Sequence, residues 1–336
     1  MSRTQPSTTD SRRTVMVRGR PQPYLERIRI RRRDYFLLEQ VGNLSRRRFR
    51  AFDPHQGPGG DFFLVLRLLN GSQSEQQLRV LRRLKHDSLP RVWEWEPTPD
   101  GFDVALSWID GISLADYLQH VRDGRRPPIA PGEAVRLIHG LAGAVCRLAQ
   151  ATQLTHGDIQ PANVVLTSHP SRLALIDFGS AWTQQAAAVR TDGDGHHRSY
   201  AAPELRTAAT PVGFPADQFS VTVLFYELLT LHLPYGGLGG KAGWAEFREQ
   251  ACDSLLRPSQ SIPKRDDLPR SLLDGVDRVA LRGLALDPAD RYPDRHVWLN
   301  DLFELSARFR LAPELPASEN LLTRVIEWFV KRRRSG

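Results

Sequence analysis

Two clusters constrain this chain more than anything else in it: His156-Gly157-Asp158-Ile159-Gln160-Pro161-Ala162-Asn163, and the triplet Asp177-Phe178-Gly179 that follows. Two short β-prone runs, Val164 to Leu166 and Leu173 to Ile176, stand between them. Alone, a series of Asp, Asn and Asp is weak evidence, because acids and amides also populate turns and caps. The order of the later segments decides the matter. Tyr200-Ala201-Ala202-Pro203-Glu204 comes next, then Asp217-Gln218-Phe219-Ser220 opening an apolar run to Thr230, then Leu233-Pro234-Tyr235 and Asp287-Pro288-Ala289-Asp290-Arg291-Tyr292.

In this order the chain resembles the protein kinases of the eukaryotic-like, bacterial Ser/Thr type, whose catalytic loop reads H-R-D-x-x-x-x-N and whose metal loop reads D-F-G. Phosphoryl transfer needs a carboxylate that orients and deprotonates a hydroxyl, and oxygen ligands that hold magnesium against a triphosphate. The resemblance implies Asp158 as the base, Asn163 and Asp177 as the Mg2+ ligands, and ATP as cofactor. It also implies nucleotide contacts from Gly42, Arg67, Ser107 and Ile109. Leu81, His156 and Phe178 are expected to form an apolar column between lobes, with Asp217 a structural residue and Glu204 and Arg291 a buried ion pair.

The coarse pattern agrees. Tyr35 to Val41, Asp61 to Leu69, Arg91 to Glu96 and Phe102 to Ile109 are β-prone, with Leu78, Leu81 and Leu84 at helical spacing between them. After Gly111 the pattern turns helical, with a long helix from Pro131 to near Gln153 and others at Asp217 to Leu229, Leu272 to Leu284, Val297 to Ala307 and Ser318 to Lys331. The expected fold is α+β, two-lobed and kinase-like, with its chemistry in the crevice. The expected divisions are a disordered Arg-rich tail at 1–23, a basic lead-in at 24–34, a first lobe at 35–110, a second lobe at 111–311, and a linker with an amphipathic basic helix at 312–336.

Departures from the family pattern sit where ATP would be clamped. Aligning Leu64-Val65-Leu66-Arg67 with V-A-I-K places Arg67 at the strand-three lysine, and Gln77 at its glutamate partner. A planar guanidinium is no simple substitute for an ammonium there. Of G-x-G-x-x-G only Gly42 remains, Gly157 replaces the arginine before the catalytic Asp, and Gln160 replaces a lysine. Three functions follow as expectations. The first is a weak phosphotransferase moving the ATP γ-phosphate to a protein hydroxyl, serine or threonine. The alternative is a pseudokinase that serves as a regulatory scaffold, and the third is a small-molecule kinase.

The formal charge of +8 invites a nucleic-acid reading, yet the arginines cluster terminally, at Arg27 to Arg33 and Lys331 to Arg334, with no nucleic-acid module between. The expected partner is a protein substrate or regulated protein, without sequence-specific nucleic acid; the basic ends would meet an acidic partner or an anionic membrane surface. No apolar run spans a bilayer and no secretory leader opens the chain, so a cytoplasmic setting, with the inner membrane surface within reach, is expected. Cys146 and Cys252 have no metal or redox spacing and read as packing residues. The run from Gly236 to Lys241 lacks the first glycine and the Ser/Thr of a P-loop and reads as a connector.

Overall fold

The computed structural model describes residues 13–42, 47–57, 59–69, 75–152, 154–168, 170–176, 182–183, 198–206, 213–251, 254–262 and 268–312. The chain opens earlier than its composition suggests. β1 (Thr14–Val17) and β2 (Arg20–Pro23) form a hairpin whose two loop residues, Arg18 and Gly19, both have positive φ, the twist that suits two-residue turns. Alternation along β1 buries Val15 and Val17 against Phe52 and Phe62. Residues 14–23 are therefore part of the first lobe, not a disordered tail.

The basic stretch that follows is not a lead-in either. β3 (Glu26–Ile30) pairs with β4 (Arg33–Gln40) at the edge of a six-stranded antiparallel sheet. Three of its arginines are taken up locally: Arg27 pairs with Asp34 at 2.8 Å, Arg33 with Asp53 at 3.5 Å, and Arg31 donates to the Trp95 carbonyl. The sheet continues through β5 (Arg48–Phe52), β6 (Phe62–Leu69), β7 (Val92–Thr98) and β8 (Gly101–Ser107), in the order β3-β4-β5-β6-β8-β7. α1 (Glu75–Arg83) precedes β7.

The two faces of this sheet bury different cores. Leu64, Leu66 and Leu68 of β6 join Leu78 and Leu81 of α1 in the main cluster, which runs on into the second lobe. Phe63 and Val65 face the other way, with Tyr35, Leu37, Ala51 and Ala105. Strand alternation makes this parity all-or-none: slipping by one residue would exchange every side chain between the faces.

Among the described residues the second lobe is helical around two small sheets, one of three strands and one of two. β9 (Ile112–Ser113) leads into α2 (Leu114–Arg122), and α3 (Pro131–Thr152) then runs through the lobe. β10 (Leu154–Thr155) comes before the catalytic loop, β11 (Val164–Ser168) and β12 (Ser171–Leu175) follow it, and β13 (Trp182–Thr183) pairs with β10. α4 (Phe214–Thr230) is buried at every position from Ala216 on, and its two buried carboxylates, Asp217 and Glu227, are hydrogen-bonded. α5 (Arg248–Ala251), α6 (Arg270–Gly283) and α7 (Arg295–Leu311) complete the lobe.

Two local features have structural explanations. Burial pushes the Cys146 thiol up to about 12, which leaves it a packing group. A Cβ on Gly239 or Gly240 would stand 2.0 Å from the Ser199 carbonyl oxygen or 1.8 Å from that of Ala201, so these glycines let the connector lie against the 199–201 backbone. Cys252 and the helix expected at Ser318 to Lys331 lie outside the described residues.

Candidate active site

The catalytic loop is held from below by α4. Asp217 accepts the backbone N–H of His156 at 2.7 Å and that of Gly157 at 2.8 Å, satisfying two buried donors with one carboxylate. Gly157 has φ 70°, a conformation that costs glycine least, which gives a backbone reason for glycine where the family has arginine.

Asp158 is 5% exposed and emerges from this loop beside Asn163. Its Oδ1 accepts from Gln160 Nε2 at 2.7 Å, and its Oδ2 accepts from Asn163 Nδ2 at 3.0 Å. Asn163 also donates to the Asp158 carbonyl at 2.8 Å and takes the Ile176 N–H on its own carbonyl at 3.0 Å. Carboxylate, amide and the residue leading to Asp177 are thus tied into one network. Gln160, which read from sequence as the loss of a lysine, orients the carboxylate. Asp177 and Phe178 lie outside the described residues, as does the part of the glycine-loop segment at 43–46.

The first lobe reverses one expectation. Arg67 is on the face of β6 opposite Leu66 and α1, where it makes a two-pronged bond to Asp103, its neighbour on β8, at 2.8 Å from both Nε and Nη2. The Asp103 hydrogen bond raises the Arg67 pKa above its ordinary value. Arg67 is not aimed into the crevice, and a lysine there could not pair with a glutamate at position 77 on α1. On the crevice side β6 offers Leu64, Leu66 and Leu68, all apolar. Replacing Arg67 by Ala is expected to cost no more than about 1 kcal/mol, because the pair is partly exposed; thermal melting would check this.

Among the described residues, a cation that does enter the crevice is Arg48, at the start of β5. It is 7% exposed, and its Nη1 donates to Asn163 Oδ1 at 3.3 Å, bridging the lobes. Gly42 has φ 71°, and a Cβ built on it would lie 3.5 Å from the same nitrogen. In sequence Arg48 is one of three consecutive arginines in the glycine-loop segment, which could equally offer side-chain contacts to phosphate or form a solvated hairpin tip; the directly opposed pair Arg48 and Leu66 separates it from its neighbours, once the parity of β6 is known.

The remaining expected residues are placed as follows. Ser107 closes β8, with its Oγ accepting the Arg91 N–H at 2.8 Å, and Ile109 is half-buried in the link to α2. Leu81 is buried in the cluster shared by both lobes. Glu204 and Arg291 meet through two bonds, 2.7 and 2.9 Å. Nearby, Glu227 of α4, unremarked in the sequence, accepts from Tyr200 at 2.7 Å and Arg122 at 2.5 Å, and burial followed by the Glu227 charge raises the Tyr200 phenol.

Residues 69–300 match the protein kinase domain family, more than half of the chain. The chain belongs to the protein kinase family. Its relatives include the bacterial serine/threonine kinases PknI of Mycobacterium tuberculosis, 32% identical over 65% of this chain and 32% of that protein, and PrkC of Bacillus subtilis, 21% identical over 62% and 30%. This kinase chain spans about a third of the length of the curated relatives it matches. The crystal structure of the M. tuberculosis PknI kinase domain shares the fold, at TM-score 0.54 and 24% identity over 81% of this chain and 96% of that one. The family match begins only at the last residue of β6, so Gly42, Arg48 and Arg67 lie outside it. No helix among the described residues is long and apolar enough to cross a membrane.

Proposed function

We propose that this kinase domain transfers the γ-phosphate of ATP to a serine or threonine hydroxyl of a protein. The observation that carries the reading is the buried Asp158 carboxylate, held by Gln160 and Asn163 on a backbone anchored by Asp217. A base that is fixed before substrate arrives needs no reorganisation during proton transfer. Asp158 would accept the proton of the attacking hydroxyl. Asn163 Oδ1 is a hard oxygen donor of the kind Mg2+ takes, and Asp177 would supply the second ligand. The donor chemistry therefore fits a magnesium nucleotide. ATP, when bound, supplies the phosphoryl group.

A second reading, a regulatory scaffold on the same fold, is favoured by one observation: Leu66 occupies the crevice face of β6 and carries no charge toward a phosphate. Incubation of the intact chain with ATP labelled at the γ-phosphate, with Mg2+ and a mixture of acceptor proteins, separates the two. Label on serine or threonine is expected for the enzyme. Its absence at every acceptor and on the chain itself would favour the scaffold. The basic run from Lys331 to Arg334 lies outside the described residues, and contacts of the basic ends with an acidic partner or a membrane surface stay within this proposal.

A further inference from the structure

We infer that Arg48 is the residue that meets the nucleotide phosphates in this crevice, delivered from β5 in place of a lysine from β6. The inference rests on the nucleotide reading above and says which side chain makes it workable. A triphosphate in the crevice needs fixed positive charge, and β6 gives none there: Leu64, Leu66 and Leu68 face inward while Arg67 is turned outward onto Asp103. Arg48 stands directly across from Leu66 in the β5–β6 ladder, so the two side chains share a face. The cation is thus displaced by one strand and not lost.

Three further observations support the assignment. Arg48 is almost wholly buried yet reaches the second lobe, where its Nη1 is 3.3 Å from Asn163 Oδ1. Arg48 therefore ends beside the amide proposed to hold magnesium. Gly42, the one glycine retained from the phosphate loop pattern, borders that nitrogen at the distance of ordinary contact for a built Cβ. Finally, a guanidinium presents its N–H groups in a plane that matches phosphate oxygens two at a time, a geometry that suits a side chain reaching across from the neighbouring strand. In the structure the guanidinium donates to the oxygen that the metal would take, so a bound magnesium nucleotide would compete with Asn163 for Arg48.

The test is competition of ATP and of adenosine against a fluorescent ATP analogue, on the intact chain and on its Arg48→Ala, Arg48→Lys and Arg67→Ala variants, with melting curves as the folding control. Arg48→Ala is expected to weaken ATP by about ten- to a hundredfold, the usual range for charge-assisted hydrogen bonds, and to leave adenosine unchanged. Arg48→Lys, which keeps the charge but not the planar fork, should recover part of the loss, and Arg67→Ala should match the unmodified chain. Unchanged ATP affinity in Arg48→Ala, an equal loss for adenosine, or an equal fall in the Ala and Lys variants would overturn the assignment while leaving a nucleotide site. If the unmodified chain displaces none of the analogue with ATP, the nucleotide reading itself fails, and the assignment with it.

Discussion

Asp158→Asn should lower phosphate transfer by about a hundred- to ten-thousandfold while leaving ATP affinity and melting temperature close to their original values. The selectivity follows from the local network. Asparagine keeps the shape of the side chain and one acceptor oxygen, which suffices for the buried Asn163 donor; Gln160 is half-buried and can turn its amide to water. Folding therefore has little to lose. Proton acceptance is needed only as the hydroxyl attacks, so its loss should appear in turnover and not in ground-state binding. Label transfer and nucleotide displacement measured on the same preparation would check this. Transfer that survives the change would remove Asp158 from the role of base.

Replacing Arg291 by Ala should be the most damaging single change to stability, at roughly 3–5 kcal/mol, because it breaks a buried pair and leaves one charge behind. The Arg291 side chain is fully buried and Glu204 nearly so. Besides its two bonds to Glu204, Arg291 donates to the carbonyls of Ala285, Pro215 and Leu286. One residue thus ties the segment after Pro203 to the start of α4 and to the end of α6. Removing both partners, as Glu204→Leu with Arg291→Met, removes the stranded carboxylate but leaves these carbonyls without a donor. The double variant is expected to recover only part of the loss. Thermal or urea unfolding of the single and double variants would show it; an Arg291→Ala protein that melts near the original temperature would contradict the estimate.

How much of this was legible in the sequence depended on whether a residue's role was set by its neighbours in the chain or by a strand's parity. The catalytic loop was legible because Asp158, Gln160 and Asn163 lie within six residues, so local backbone brings them together. Helices α3, α6 and α7 were legible from apolar residues at helical spacing, and α4 from its long apolar run. β6 was not. In Phe62-Phe63-Leu64-Val65-Leu66-Arg67-Leu68-Leu69 both parities are apolar, so alternation does not say which set faces the crevice. Motif alignment chose the wrong one. The lone charge in the run was the clue, since it belongs on the face where Asp103 can meet it. The first hairpin was missed for a related reason: only Val15 and Val17 mark its buried side, and the arginines around them, Arg13, Arg18 and Arg20, gave it the texture of a tail.

The second reading, a scaffold, and the first, an enzyme, part most sharply over magnesium and ATP. Calorimetric titration of the intact chain with ATP, with and without Mg2+, tests that point without needing the protein substrate. Saturable binding that strengthens when Mg2+ is present is the expected result, because Asn163 and Asp177 would then hold the metal against the phosphates that Arg48 meets. No binding in either condition at about 1 mM ATP, a standard free energy weaker than about −4 kcal/mol, would contradict the account.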